Sequence, residues 1–337
     1  MEFDVKYMRR ALQLAANGRG FTAPNPMVGA VIVAPDGRII GEGWHRLCGQ
    51  GHAEVNAVAS VSEADQPLLC RSTIYVTLEP CSHYGKTPPC AKLLIDKRIP
   101  RVVVGAGDPN PKVNGRGIAM LREAGAEVVT GVLAEESEAL NRVFFTAQRR
   151  RRPYITLKWA QSADGFMDVK RVGGQAYMFS TPLTRTSTMR LRALSEAILT
   201  TAATVNADNP SLTLRNWPGR PPRRFILDRS SSLNPSAKLA QDPSVTVLHP
   251  SENELIAPFR SLFEDFGVTS VLVEAGPRYL SALLEAGLWD ELRVEIAPDI
   301  LGDCGAHPAP AIPTPSTSVK LEETTLDSHH LLHFFNC

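Results

Sequence analysis

Charge of one sign is what this sequence lacks most clearly. Its 36 Lys and Arg stand against 35 Asp and Glu, a formal net charge of +1. That balance excludes the broad positive field of a protein built to live on a nucleic-acid backbone. Long apolar runs are missing too: nothing approaches the roughly 18 residues of a membrane span. The opening stretch "MEFDVKYMRRALQLAANG" carries acids early and no uninterrupted apolar core, so it does not read as a secretory signal. Cysteine is sparse. Cys48, Cys70, Cys81, Cys90, Cys304 and Cys337 are unevenly spaced in 337 residues, which excludes a disulfide framework and fits reduced thiols, some free to bind metal. We expect a cytoplasmic protein with neither membrane nor nucleic acid as partner.

What is present is ordinary globular material. A hydrophobic share of 43% supplies two cores, and the length suggests two domains at about 150 residues each. Tyr7, Met8, Ala11, Leu12 and Ala15 recur at helical spacing, with Gly18 as a stop. "MVGAVIVAPDGRIIGEGWH" reads as two strands around an Asp36-Gly37 hairpin turn. A helix from His52 to about Val61, a strand in "STIYVTLE", a helix in "CAKLLIDKRI", a strand in "RVVVGAG", a helix in "GIAMLREAG" and a strand in "EVVTGV" follow. Strands alternating with helices predict an α/β layered domain. The run Arg149 to Arg152, closed by Pro153, is expected to be a solvated junction between domains spanning 1–148 and 153–337.

The second half restarts the pattern. "YITLKWAQS", "EAILTT", "RRFILD", "VTVLH", "SVLVEAG" and "ELRVEIAP" read as strands, with helices in "TPLTRTSTMRLRAL" and "PRYLSALLEAG". Thr181 is the expected N-cap before Pro182. "HPAPAIPTPSTS" is expected to be an irregular surface excursion, and "HLLHFFNC" to close the sheet.

Two stretches carry chemistry: "GHAEVNAV" from Gly51 and "TLEPCSHYGKTPPC" from Thr77. Taken singly, His52 is a surface histidine, Glu54 a solvated helix charge, and Cys81 and Cys90 small core residues. Together, His52, Cys81 and Cys90 are three ligands of the softness zinc prefers, and a catalytic zinc keeps a fourth position for water. Residues two apart on a helix do not face each other, so His52 and Glu54 make sense together only at a helix N-terminus, with the metal off its end. Thr87 and Pro88 suggest a second helix start before Cys90, where a thiolate is favoured. Zinc deaminases combine H-x-E with P-C-x-x-C. This chain has His52-Ala53-Glu54 and Pro80-Cys81, with a longer loop before the second cysteine.

With "APNPMVGAVIV" from Ala23, "GDPNPKVNGRGI" from Gly107, "PYITLKWAQSADG" from Pro153, "ATVNADNPSLTLR" from Ala203 and "VEAGPRYLSALL" from Val273, these motifs resemble the bifunctional riboflavin-biosynthesis deaminase/reductase family over nearly the whole chain. The resemblance implies a cytidine-deaminase-like α/β/α layer followed by a dihydrofolate-reductase-like α/β domain. The first would use zinc-activated water to deaminate 2,5-diamino-6-ribosylamino-4(3H)-pyrimidinone 5′-phosphate. The second would use NADPH to reduce the ribosyl group to ribityl, giving 5-amino-6-ribitylamino-uracil 5′-phosphate. His52, Cys81 and Cys90 become the zinc ligands, one zinc per chain, and Glu54 the general acid/base. Asn25 is an expected partner of the substrate's polar groups, or else a turn residue between prolines. His83 and Lys86 are placed to meet its phosphate.

In the second half the resemblance carries over Arg192, Leu212, Arg215 and Glu274 as substrate contacts. It carries over Ala160, Met178, Thr204, Asp208, Gly276, Pro277, Arg278, Tyr279, Leu280, Ser281 and Ala282 as cofactor contacts. "AGPRYL" is not a G-x-G-x-x-G fingerprint, so the glycines alone imply no dinucleotide fold. Arg229, after "RRFILD", is the expected partner of the 2′-phosphate, ahead of Arg223 and Arg224. Phe166, Ala176 and Met178 depart from the residues relatives tend to have. Two rivals share the zinc residues: a deaminase acting on nucleic acid, which the charge disfavours, and a structural zinc site with Cys48 or Cys70 as a fourth ligand, which leaves Glu54 without a task. A homo-oligomer is expected.

Overall fold

The computed structural model describes residues 2–82, 88–110, 114–171, 174, 176–250 and 254–336. The chain divides into two compact units, Met1–Arg150 and Arg151–Cys337.

The first unit runs α1 (Glu2–Ala16), β1 (Gly29–Val33), β2 (Ile39–Trp44), α2 (Ala53–Ala59), β3 (Thr73–Leu78), α3 (Cys90–Asp96), β4 (Arg101–Ala106), α4 (Arg116–Glu123), β5 (Glu127–Thr130), α5 (Ala134–Leu140) and α6 (Arg142–Arg150). Its sheet has the order β2-β1-β3-β4-β5. The hairpin strands are antiparallel and β3, β4 and β5 are parallel. Strand β1, "GAVIV", is buried throughout, as a central strand covered on both faces must be. Successive side chains serve opposite layers. Ala30 and Ile32 pack with Ala57, Leu94 and Leu121 of the helices on one face, and Val31 and Val33 with Tyr7, Met8 and Ala11 of α1 on the other. Gly43 shows how tightly the layers approach: a Cβ there would meet Ala57 N at 2.3 Å.

The second unit contains β6 (Tyr154–Gln161), β7 (Phe166–Val169), α7 (Pro182–Leu194), β8 (Ala197–Thr201), α8 (Ala202–Asp208), β9 (Arg223–Leu227), β10 (Val245–Leu248), α9 (Ala257–Glu264), β11 (Ser270–Val273), α10 (Pro277–Glu285), β12 (Glu291–Ile296), β13 (Gly305–Pro308), β14 (Val319–Leu326) and β15 (His329–Asn336). Its eight-stranded sheet has the order β10-β9-β8-β11-β6-β12-β15-β14. The first six strands of that order are parallel, β15 runs antiparallel to them, and β14, antiparallel to β15, runs in their direction again. Thr181 caps α7 as expected, its side chain accepting from Thr184 N.

Four expectations change. Arg152 is no solvated junction residue: it is 5% exposed and held by Asp290, at 2.5 Å (Nη1–Oδ2) and 2.9 Å (Nη2–Oδ1). A guanidinium that far from water needs such a partner. Arg149 and Arg150 instead complete α6. The proline-rich stretch is partly ordered, because His307 and Pro308 lie in β13, which pairs with β7. The last strand does not close the sheet: β15 has β12 on one side and β14 outside it. Finally, α3 begins at Cys90 with Pro89 as its N-cap, so Pro88 lies outside the first turn. Thr87 falls outside the described residues.

Candidate metal and cofactor sites

The first site forms where α2 and α3 begin at one end of the sheet. His52 is the N-cap of α2, extended at φ −69° and ψ 170°, and Glu54 sits in its first turn. Cys81 follows β3, and Cys90 opens α3. One donor atom from each of His52, Cys81 and Cys90 lies within 4.8 Å of the others. Nδ1 of His52 is 3.3 Å from Cys90 Sγ and 3.6 Å from Cys81 Sγ. Tetrahedral zinc, with bonds of about 2.3 Å to sulfur and about 2.0 Å to nitrogen, places such donors about 3.6 Å apart. The donor set therefore fits the ion in type and spacing. Neither Cys48 nor Cys70 belongs to a cluster of this kind among the described residues, which leaves three protein ligands.

The electrostatics agree with a thiolate centre. Cys81 accepts hydrogen bonds from the Cys90 thiol and His52 and from Cys90 N, which outweigh burial and pull its pKa down to about 4. Cys90 is pushed up, by its hydrogen bond to Cys81 and by burial. Glu54 is 3% exposed, and burial together with the Cys81 charge raises its carboxyl to about 7.

Three residues that sequence reasoning passed over support the site. His45 is 2% exposed, with its ring edge-on to His52 at 5.5 Å between centroids. Its Nδ1 donates to Gly51 O at 3.1 Å, so Nε2 is left to accept from the Asn25 amide at 3.3 Å. Burial, foremost, lowers its pKa, in keeping with the neutral ring. Asn25 is thus held amide-first, its oxygen left over, on a segment that Asn141 clasps through both Met27 N (2.7 Å) and Met27 O (2.8 Å). Glu79, 4% exposed, accepts from Gly115 N at 2.9 Å, Gly117 N at 3.0 Å, and Asp108 N and Ile118 N at 3.4 Å each. It ties the "GDPNPKVNGRGI" segment to the strand end that carries Cys81. Gly117 makes that approach possible, since a Cβ there would come within 1.9 Å of Pro80 O. The "GWH" ending β2 and the "LEPC" ending β3 were the available signals. His83 and Lys86 lie outside the described residues.

The second site gathers at the carboxyl ends of neighbouring parallel strands β9, β8, β11 and β6, where open α/β sheets bind ligands. Arg229 follows β9, Thr204 is in the first turn of α8 after β8, and Glu274 to Ala282 follow β11 into α10. Ala160 is near the end of β6. Thr204 Oγ1 accepts from Gly276 N at 3.1 Å, joining α8 to the start of α10. Arg192 and Glu274 meet as a bidentate pair at 2.9 and 2.8 Å, with Arg192 also donating to Thr213 O. Arg190, on the same helix, is exposed. Leu212 is 6% exposed, its side chain packed in a core cluster with Ile198 and Val205. Arg215 is exposed, Asp208 is ion-paired with Arg171, and Met178 is 67% exposed. Arg224 is bound to Asp242, and Arg223 lies over the rings of Phe225 and Phe266. The Tyr279 hydroxyl is buried without a hydrogen-bond partner among the described residues. Burial raises its pKa, and the charge of Arg229 opposes the rise.

A thiolate–imidazole centre with a buried glutamate in one unit, and a gathering of polar and charged residues at the strand ends of a parallel sheet in the other, define a two-site enzyme that joins a zinc deaminase to a reductase. Residues 1–106 match the family described as "Cytidine and deoxycytidylate deaminase zinc-binding region", and residues 153–332 the "RibD C-terminal domain". The riboflavin biosynthesis protein RibD of Escherichia coli (strain K12) is 40% identical over 333 residues, covering 89% of each chain. The solved structure of Acinetobacter baumannii RibD, form 2, is 34% identical, with a TM-score of 0.87 over 100% of this chain and 99% of that one. The diaminohydroxyphosphoribosylaminopyrimidine deaminase/5-amino-6-(5-phosphoribosylamino)uracil reductase of Thermotoga maritima is also 34% identical, with a TM-score of 0.84 over the same shares. The chain belongs to the RibD family, the bifunctional deaminase/reductases of riboflavin biosynthesis. Such an enzyme acts on small pyrimidines and uses zinc in its deaminase domain and NADPH in its reductase domain. Among the described residues, no helix is long and apolar enough to cross a membrane.

Proposed function

We propose that the chain deaminates 2,5-diamino-6-ribosylamino-4(3H)-pyrimidinone 5′-phosphate in its first unit and reduces the ribosyl group of the product in its second. The observation that carries this is the convergence of His52 Nδ1, Cys81 Sγ and Cys90 Sγ beside buried Glu54. His52, Cys81 and Cys90 hold zinc, and Glu54 carries the proton to the departing amine. Bound zinc supplies a water that loses its proton near neutral pH, and bound NADPH supplies hydride. Asn25, oriented by His45, receives the polar edge of the pyrimidine, and His83 and Lys86 receive its phosphate. In the reductase unit Arg192, Leu212, Arg215 and Glu274 bind the substrate.

Ala160, Met178, Thr204, Asp208 and Gly276 to Ala282 line the cofactor site. Arg229 takes the 2′-phosphate. Arg229 follows β9 at the same end of the sheet where α10 begins after β11, which supports that assignment, since phosphate is favoured at a helix N-terminus. The enzyme works in the cytoplasm as a homo-oligomer.

The test is purified protein with substrate, read first for ammonia and then for NADPH oxidation. Glu54→Gln is expected to keep about one zinc per chain, lose ammonia release, and still oxidise NADPH when given the deaminated substrate. Ammonia release by Glu54→Gln at the wild-type rate would overturn the assignment.

A further inference from the structure

A buried ionic cluster in the second unit takes no part in the chemistry above. Glu295, on β12, is 3% exposed and points away from the hydrophobic face that Leu292 and Val294 contribute to. Its Oε2 accepts from Ser180 Oγ at 2.7 Å and lies 3.9 Å from Lys158 Nζ. Its Oε1 has no hydrogen-bond partner among the described residues and lies 3.9 Å from His329 Nε2. His329 is also 3% exposed and opens β15, directly after the Asp327-Ser328 turn with φ of 53° and 61°. Both of its ring nitrogens face carbonyl oxygens: Nδ1 at 2.9 Å from Asp327 O, and Nε2 at 3.0 Å from Phe179 O. A neutral imidazole has a single N–H and would turn a lone pair on one of those oxygens. Only the imidazolium donates to both, and Glu295 supplies the counter-charge a buried cation requires.

This cluster secures the segment Tyr177–Thr181, whose first four residues lie outside any helix or strand. Tyr177 N donates to Asp168 Oδ1 at 3.0 Å and its hydroxyl to Asp299 Oδ1 at 2.9 Å. Phe179 is held through its carbonyl by His329, Ser180 through its hydroxyl by Glu295, and Thr181 caps α7. Met178, between these tethers, is left 67% exposed. The cluster also adjoins Ala160, the register partner of Glu295 across β6 and β12.

We propose that the His329–Glu295 pair is a positioning device that holds Tyr177–Thr181 in the shape that receives NADPH, and so sets the affinity of the reductase unit for its cofactor. The proposal rests on the reading of Ala160 and Met178 as cofactor neighbours. An irregular stretch without ladder hydrogen bonds keeps one conformation only while its tethers outweigh the backbone entropy of release.

The charged groups around His329 are Glu295 of β12, Asp299 just beyond β12, and Lys158 of β6, which shares Glu295. Burial lowers the His329 pKa, but the two carbonyls and the charges of Glu295 and Asp299 outweigh it and leave it raised. The clamp is therefore intact below the ordinary histidine range and is lost as pH rises through the raised value.

The experiment measures the dissociation constant of NADPH, by its own fluorescence, for the full chain between about pH 6.5 and 9.5. Wild-type affinity is expected to weaken about tenfold across His329's titration, the loss of one charge-assisted tether. His329→Gln is expected to bind at the weakened value throughout, with deamination as in the wild type. Ser180→Ala is expected to weaken binding but keep the pH dependence. Wild-type affinity and pH profile in His329→Gln would overturn the proposal. If His329→Gln does not fold, unchanged affinity in Ser180→Ala overturns it instead. A wild type that binds no NADPH at any pH would refute the reductase reading itself, and the proposal with it.

Discussion

Replacing Glu79 by Gln is expected to disable the deaminase while sparing the reductase. The carboxylate receives two short backbone hydrogen bonds, from Gly115 N at 2.9 Å and Gly117 N at 3.0 Å, one on each oxygen. The amide keeps one acceptor and turns an NH2 group toward the other donor. The loss is one charge-assisted bond of about 1.5–3 kcal/mol, with a buried N–H left unsatisfied at about 1–3 kcal/mol more. A figure near the low end of that sum, about 2.7 kcal/mol, is already roughly a hundredfold in the balance between the tied and released segment. That segment begins beside Asp108 and abuts the carbonyl just ahead of Cys81.

Deamination kcat/KM should therefore fall by about tenfold to a hundredfold. Zinc content should be retained, because no ligand is touched. NADPH oxidation with deaminated substrate should stay within about twofold of wild type, because the two units are separate compact bodies. Assaying ammonia release and NADPH oxidation on one preparation gives each variant its own control. Wild-type deamination by Glu79→Gln would refute the reasoning, and so would equal loss of both activities.

Two further expectations concern stability of the second unit. Asp290→Ala should destabilise it by about 3–5 kcal/mol, because Arg152 would be left charged and buried and Ile155 N would lose its acceptor. Urea unfolding followed by tryptophan fluorescence checks this, and recovery in Arg152→Met/Asp290→Leu would show that the unpaired charge is the cause. Glu291 is raised by burial, but its hydrogen bond with His333 and the Arg293 charge outweigh that and bring it from 4.5 down to about 2. A depressed carboxylate stabilises above its unfolded pKa and loses that contribution as pH falls through the folded value. The wild type should thus exceed Glu291→Gln by about 3 kcal/mol above about pH 4.5, with the gap closing toward pH 2. A gap that does not change with pH would exclude this ionisation as its source.

Much of this was legible along the chain. Buried strands such as "GAVIV" and "SVLV" announce themselves because a strand covered on both faces is apolar at every position. Thr181-Pro182 marks a helix start because the side chain and the proline ring each meet a backbone requirement of the first turn. The cluster of His52, Cys81 and Cys90 beside Glu54 was readable because metal softness and proton transfer dictate residue type. The helices α5, α6, α8 and α9 and the edge strand β14 were not anticipated. They are short or half-exposed, so their periodicity is weak and tertiary packing decides them.

By itself the sequence determined the chemistry of the first site, the division into two layered α/β halves and the family, because each rests on residue types at short spacings. Only the tertiary structure decided which charges are buried and with whom. Arg152 reads as one more arginine in a basic run until the fold brings Asp290 to it from 138 residues away. Glu79, His45 and Glu295 are unremarkable letters until strands and turns distant in sequence present backbone N–H groups, an amide or an imidazolium to them. A hydrogen bond or ion pair depends on atoms meeting within about 3 Å, and for partners far apart in sequence only the folded chain sets that distance.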